Sequence, residues 1–251
     1  MRSKKRKLTA ICVLHYVKLA YRSFLLLLAT LIYVLSKAYN TGDILDGYEN
    51  GHWLLALVWL VYVIEMAFRF FPSRLESMGC QKQFGRNFKE TEQKKIKLNS
   101  WRSTLAVALV WLVLNAVFAV LYYLDIIDAG ILVLISLVYG VCDMICILFF
   151  CPFQTWIMKN RCCTVCRIYN WDYAMMFTPL IFVPGIYAKS LLILSLLLIL
   201  RWEVTVAKFP ERFSEQTNSC LSCKNCKEKL CHHKTQLKSF WEKNRLRFKL
   251  K

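Results

Sequence analysis

The chain has 251 residues, of which 57% are hydrophobic, and its net charge is +18 from 34 basic and 16 acidic side chains. The apolar residues form long runs, several of which reach the roughly 20 residues that cross a bilayer. This distribution excludes a water-soluble enzyme and a disordered chain, and it indicates an all-α polytopic membrane protein. The charges lie between the apolar runs and accompany no aromatic-basic module, so we assign them to cytoplasmic loops rather than to nucleic-acid binding.

The first predicted element is a helix that starts in the cytoplasmic headgroup region and continues into the membrane. It follows a strongly basic N-terminus, and His15, Lys18 and Arg22 form one polar stripe at helical spacing. We expect residues 8–22 to lie at the membrane surface and the first span to cover about 23–36. A cleaved signal peptide is the alternative, but the basic lead-in is long and no small-x-small cleavage site follows it.

Three further spans are predicted from the alternation of apolar runs with charged loops. An acidic, glycine-containing segment at 37–51 is expected outside the cell. The loop at 72–102 carries eight basic and three acidic side chains, and the loop at 151–172 is also basic, so both are expected in the cytoplasm. The spans cover about 52–71, 103–124 and 131–150.

The stretch 173–206 is too long for one straight crossing and short for two, and prolines interrupt it at Pro179 and Pro184. The tail at 207–251 has twelve basic and four acidic residues, which favours a cytoplasmic C-terminus. We therefore expect a short hairpin that turns near Lys189-Ser190 and gives about six membrane segments. Five spans plus a re-entrant piece are the alternative, and this would leave the tail outside.

Seven of the twelve cysteines fall in two polar clusters, one in the loop at 151–172 and one in the tail. Disulfides do not persist in the reducing cytoplasm, so we expect these cysteines to bind a metal or to take part in thiol redox chemistry. Neighbouring lysines and arginines would favour thiolates. One C-x-x-C pair from each cluster supplies four ligands, which suit a tetrahedral zinc ion or an iron–sulfur cluster, and the spacing does not decide between them. The candidate ligands are Cys162, Cys163, Cys166, Cys220, Cys223, Cys226 and Cys231.

The segment around the first cluster is similar to a group of uncharacterised bacterial membrane proteins that carry an RCCxxCRIxNWD loop and a CxxCxxxxC tail. The resemblance covers about residues 151–231 and includes the Pro210–Phe213 segment before the tail cysteines. The tail pattern is matched by Cys223, Cys226 and Cys231 and has no counterpart of Cys220. The resemblance implies that the two clusters act as a unit, and it implies no particular activity.

Ionisable residues inside predicted spans are candidates for function. Glu65 and Arg69 are four residues apart, so we expect a local ion pair between them. Asp143 has no opposite charge on its own helix, and Cys142 and Cys146 flank it. Asp172 lies where the loop re-enters the membrane, and it is a candidate either for capping the next helix or for binding a cofactor together with Asp143. We hypothesise that a polar vestibule joins Asp143 to the thiolate centre and serves proton or electron transfer to a lipid-soluble partner.

Taken together, the sequence predicts a multi-pass protein of the cell membrane, with a transmembrane domain at 1–206, a cysteine-rich tail at 207–251 and a cytoplasmic N-terminus. A metal centre, zinc or iron–sulfur, is expected to join loop 161–166 to tail 220–231 and to serve a redox or metal-linked role. The alternatives are a transporter or accessory protein in which zinc only staples the tail, and a thiol–disulfide relay. Besides the bilayer, the candidate partners are a lipid-soluble redox molecule or another membrane protein, and enzymatic activity and oligomeric state are left open.

Overall fold

The computed structural model describes residues 9–39, 52–74, 76–92, 95–96, 98, 100–226, 228 and 230. Within these ranges the fold is entirely helical, and the only β-type pairing is an isolated bridge between Glu90 and Asn218. In chain order the α-helices of these ranges are α1 (Ala10–Tyr39), α2 (His52–Phe70), α3 (Met78–Gln81), α4 (Trp101–Tyr123), α5 (Ala129–Leu148), α6 (Asp172–Phe177) and α7 (Ile186–Lys208).

Four of these helices, α1, α4, α5 and α7, are long and apolar enough to cross a membrane. The expectation of a helical membrane protein is therefore confirmed at this level. The predicted number of about six membrane segments is not established by these four helices. The predicted external loop at 37–51 lies mostly outside the described residues.

The turn between α4 and α5 is fixed by Asp128, which caps α5 by accepting a hydrogen bond from the backbone N–H of Ile131 at 2.8 Å. The same carboxylate accepts from the Tyr33 hydroxyl and from Lys37, each at 2.9 Å. These contacts tie the C-terminal part of α1 to the start of α5. We call this end of the helices the far end.

A glycine allows α2 to approach α5 closely near the middle of the helices. A Cβ atom at Gly140 would lie 2.6 Å from the hydroxyl oxygen of Tyr62, so no larger residue fits there without movement. Tyr62 is fully buried, and its ring contacts Phe177 edge-on at 5.2 Å. This contact brings α6 into the same core.

The chain from α6 onwards forms a hairpin with one short arm. α6 continues into a 3₁₀ turn at Thr178–Ile181, and the chain reverses at Gly185, whose φ is +100°. The ring of Phe182 lies 5.8 Å from that of Tyr122, so the short arm reaches the far end before α7 returns. The predicted turn at Lys189-Ser190 is wrong, because both residues lie inside α7.

Three polar segments pack together at the opposite end of the helices, and we call them the cap: residues 76–92, residues 151–171 and the described residues of the tail, 209–226, 228 and 230. The tail joins the first loop through backbone hydrogen bonds, from Ser219 N–H to the Lys89 carbonyl at 2.8 Å and from Thr91 N–H to the Thr217 carbonyl at 3.1 Å. Trp202 at the end of α7 packs edge-on against Phe213 of the tail at 4.9 Å. The two cysteine clusters thus lie on the same side of the helix bundle.

Candidate functional site

Arg22 of α1 is the centre of a buried ionic network just inside the cap. Its guanidinium donates to Glu65 of α2 at 2.5 Å and to Asp143 of α5 at 3.1 Å. It also donates to the Gly140 carbonyl at 3.0 Å. The Tyr173 hydroxyl of α6 donates to Glu65 at 2.5 Å. One fully buried cation therefore holds four helices together, and Asp143 finds on α1 the opposite charge that its own helix lacks.

A second pair continues the network towards the cap. Arg69 forms an ion pair with Asp172 at 2.7 Å and donates to the Asn170 side chain at 2.9 Å. The expected local pair between Glu65 and Arg69 is wrong, because each finds a partner on another helix. Asp172 does not act as the expected helix cap either; it is the first residue of α6, and Trp171 precedes it without a capping side-chain hydrogen bond.

The polar stripe of α1 does not face the headgroup region as expected. His15, Lys18 and Arg22 are all buried, and Lys18 forms an ion pair with Glu76 of the cap at 2.9 Å. Burial of these charges is tolerable because carboxylates from other elements neutralise them at short distance. α1 is accordingly one continuous helix that packs with its polar face inward.

A buried lysine stabilises the turn that carries the loop cysteines. Lys82 donates to the carbonyl oxygens of Thr164 and Cys166, both at 2.8 Å. The Cys162 sulfur lies 2.6 Å from the Thr164 hydroxyl, and the Cys163 thiol donates to the Gln154 side chain at 2.8 Å. The two thiols are therefore held by neighbouring side chains of the same segment, and Lys82 holds the backbone of the turn.

Lys82 was not among the residues predicted from the sequence. Its ammonium lies beside two aromatic rings that pack against each other, 5.4 Å from the ring centre of Trp202 and 5.6 Å from that of Phe213. Complete burial lowers its pKa to about 8. Nothing distinguishes it in the sequence from the other basic residues of the loop.

The loop and tail cysteines meet in one small cavity of about 30 Å³. Cys162 and Cys163 line it from the loop, and Cys226 and Glu228 line it from the tail. The cavity lies within the cap and is partly open to solvent. It brings together three of the seven predicted metal ligands.

The other predicted ligands lie elsewhere. Cys166 is buried and faces a different cavity, and burial raises the pKa of its thiol, which contradicts the expectation that Arg161 and Arg167 would favour a thiolate there. Cys220 and Cys223 do not line the small cavity, and Cys231 is outside the described residues. In the part of the chain that the structure describes, no three histidine, cysteine or acidic side chains are already positioned to hold a metal ion.

The tail is anchored by Glu228, which the sequence reasoning also missed. Its carboxylate accepts hydrogen bonds from the Ser77 hydroxyl at 2.8 Å and from the Met78 N–H at 2.6 Å. Its main-chain carbonyl accepts from the Thr9 hydroxyl at 3.2 Å. Burial raises the pKa of Glu228. These contacts dock the tail on the first loop and on the start of α1.

A second cavity, of about 140 Å³, lies between α4, α5 and α6 on the membrane side of the loop cysteines. The two predicted cofactor-binding residues, Asp143 and Asp172, both line it. Five cysteines line it as well: Cys142, Cys146, Cys151, Cys163 and Cys166. Cys163 contributes to both cavities, so Asp143 and one loop thiol line the same space, but the wall of that space is mainly apolar rather than the expected polar vestibule.

No family model, curated protein or solved structure matches the chain. The similarity to uncharacterised bacterial membrane proteins therefore stays a prediction, and the function has to be argued from the two cavities.

Proposed function

We propose that the protein is an integral membrane protein that binds a single thiophilic metal ion between its cysteine loop and its tail. The observation that carries the proposal is that Cys162, Cys163 and Cys226 line one small cavity although 60 residues or more separate loop from tail. Thiolates of this kind are preferred by zinc and other soft ions. The ligands come from both clusters, as the sequence predicts.

The size of the cavity favours one ion over a cluster. A volume of about 30 Å³ holds one or two water-sized groups. A four-iron cluster with its sulfides is several times larger, so zinc suits this cavity better than iron–sulfur. A tetrahedral ion needs a fourth ligand besides the three thiols, and Cys223 and Cys231 are the nearest candidates along the chain.

We infer that the ion exchanges with the solvent and is not required to hold the tail in place. Glu228 and the backbone hydrogen bonds of Thr217 and Ser219 already fasten the tail to the first loop. The ion is therefore not needed to dock the tail. Cys226 is also only partly buried, so the ion can reach the site from the aqueous side. We infer a role in metal sensing or metal handling at the membrane rather than one in folding.

The proposed topology has six membrane segments with both termini on the cap side. α2, with 19 residues, supplies the second crossing, and the short arm at 172–183 supplies the fifth before α7 returns. The cap carries the basic loop at 72–102, and the positive-inside rule assigns it to the cytoplasm of the cell. The cysteine site then lies in a reducing compartment, where thiolates stay available for metal.

The test is the metal content of the full chain purified without oxygen and without added metal. We expect about one zinc per chain and no absorbance near 400 nm. Cys163→Ser and Cys226→Ser should lose the metal, whereas Cys142→Ser, on the exposed side of α5, should retain it. A metal-free protein, a metal content that survives both variants, or a brown iron-containing protein would each overturn the proposal. If loss of the metal in Cys226→Ser also detached the tail, detected by proteolysis, the ion would be a staple.

A further inference from the structure

The larger cavity differs from the metal site in size, depth and lining. Its volume of about 140 Å³ is close to the roughly 150 Å³ of an engineered protein cavity that binds benzene. Its wall is mainly apolar and includes the rings of Trp111, Tyr139 and Phe153 together with Met175. A cavity of this volume accepts one six-membered ring, and it is far larger than a metal ion requires.

Two cysteines in this cavity contact each other. Cys146 lies in the last turn of α5, and Cys151 lies three residues after the helix ends at Leu148. Their thiols interact with each other, and neither is in a disulfide. A disulfide between them brings the two sulfurs to a bond of about 2 Å. Both sulfurs face the space that a ring would occupy.

The cavity wall contains a tyrosine hydroxyl that lacks a partner. The Tyr139 hydroxyl is buried and has no hydrogen-bond partner in the structure, although Tyr139 lines the cavity. A buried hydroxyl without a partner is unfavourable by about 1–3 kcal/mol. A ring that carries a carbonyl oxygen would satisfy it, and a plain hydrocarbon would not.

The cavity is accessible from the bilayer. Cys142, which lines it, is exposed on the surface of α5, and α5 is one of the four helices apolar enough to cross the membrane. The opposite wall is α4, whose surface is largely exposed, with Leu109, Leu112 and Val113 all more than half uncovered. A ligand that enters here comes from the lipid rather than from water.

We propose that Cys146 and Cys151 form a redox-active dithiol that reduces a lipid-soluble quinone bound in this cavity. The two S–H bonds break and one S–S bond forms, which releases two electrons and two protons. The two carbonyl oxygens of the quinone ring take up both electrons and both protons and become hydroxyls. The Tyr139 hydroxyl donates a hydrogen bond to one of these oxygens and orients the ring. The proposal does not depend on a metal ion at Cys162, Cys163 and Cys226.

The experiment uses the full chain in lipid nanodiscs, reduced and kept without oxygen. The probe is a benzoquinone with a decyl tail and no unsubstituted ring position, so that thiols cannot add to the ring. Quinone reduction is followed by ultraviolet absorbance, and the disulfide is located by peptide mass spectrometry. We expect about one quinol per chain together with a disulfide between Cys146 and Cys151.

Three variants separate binding from chemistry. Cys151→Ser should lower quinol formation at least tenfold, whereas Cys220→Ser, whose thiol lines neither cavity, should behave as the wild type. Tyr139→Phe should raise the quinone concentration needed for half-maximal rate several-fold and leave the final yield unchanged, which a merely structural role would not do. Absence of quinol from the wild type, equal quinol from Cys151→Ser, or a disulfide between other cysteines would each refute the proposal. Because the metal content is measured without quinone, either proposal can fail while the other stands.

Discussion

Replacement of Arg22 by methionine should destabilise the protein strongly, because it leaves two carboxylates without their cation. Arg22 is fully buried and contacts Glu65 at 2.5 Å and Asp143 at 3.1 Å. Removal of one partner from a buried ion pair typically lowers the free energy of unfolding by about 3–5 kcal/mol. For a chain of this size, each 1 kcal/mol corresponds to about 2–4 °C in melting temperature. The expected loss is therefore about 6–20 °C.

A neutral version of the same site tests whether the unpaired carboxylates cause the loss of stability. In the triple variant Arg22→Met, Glu65→Gln and Asp143→Asn, no charge of this group is left unpaired, so most of the lost stability should return. Arg102→Met, which removes an exposed arginine at the start of α4, serves as the control and should melt within 2 °C or so of the wild type. The measurement is the melting temperature in detergent followed by tryptophan fluorescence. The reasoning is wrong if the single variant melts with the wild type, or if the triple variant melts no higher than the single one.

Two further predictions concern the cap. Gly79→Ala should lower the free energy of unfolding by about 1–3 kcal/mol, because its Cβ would lie 2.4 Å from a ring carbon of buried Tyr169. The control is Gly85→Ala, whose Cβ would meet only the end of the Arg212 side chain at 3.3 Å, so this variant should melt near the wild type. Equal melting temperatures of the two variants would contradict this prediction. Because burial lowers the pKa of Lys82 from 10.5 to about 8, the unfolded chain binds the additional proton between these values, so stability should rise with pH from about 8 to 10.5. Lys82→Met should lack this rise in thermal unfolding across that range, and an unchanged slope would refute the assignment.

The long helices could be predicted from the sequence because their apolar runs match the thickness of a bilayer. α2 begins at His52 and ends at Phe70, close to the predicted 52–71, and α4 begins at Trp101, within two residues of prediction. The short arm before α7 was harder to place. Its six-residue helix and 3₁₀ turn are too short to give a distinct apolar run, and the reversal at Gly185 rests on one positive φ angle.

The polar part of the site could be predicted only as a list of residues without their partners. Helical spacing placed Glu65 beside Arg69, but burial of both made pairing with Arg22 and Asp172 the better solution, and those partners are 43 and 103 residues away. The cysteine clusters were visible because they are dense in sequence. Lys82, which orients the loop cluster, has no local signal, because its function depends on carbonyl groups more than 80 residues later.

The two cavities share Cys163, and this residue links the two proposals chemically. A metal ion bound by the Cys163 thiolate would withdraw this sulfur from the larger cavity, since a coordinated thiolate is a poor nucleophile towards a disulfide. Without the ion, Cys163 faces the same space as Cys151 and can attack a disulfide formed there. Lys82 donates hydrogen bonds to the carbonyls of Thr164 and Cys166 and so stabilises the loop that carries Cys163. We therefore expect this loop to line both cavities with and without the metal ion. Metal binding and attack on this disulfide are therefore alternative uses of the Cys163 thiol, whereas quinone reduction by Cys146 and Cys151 does not involve it.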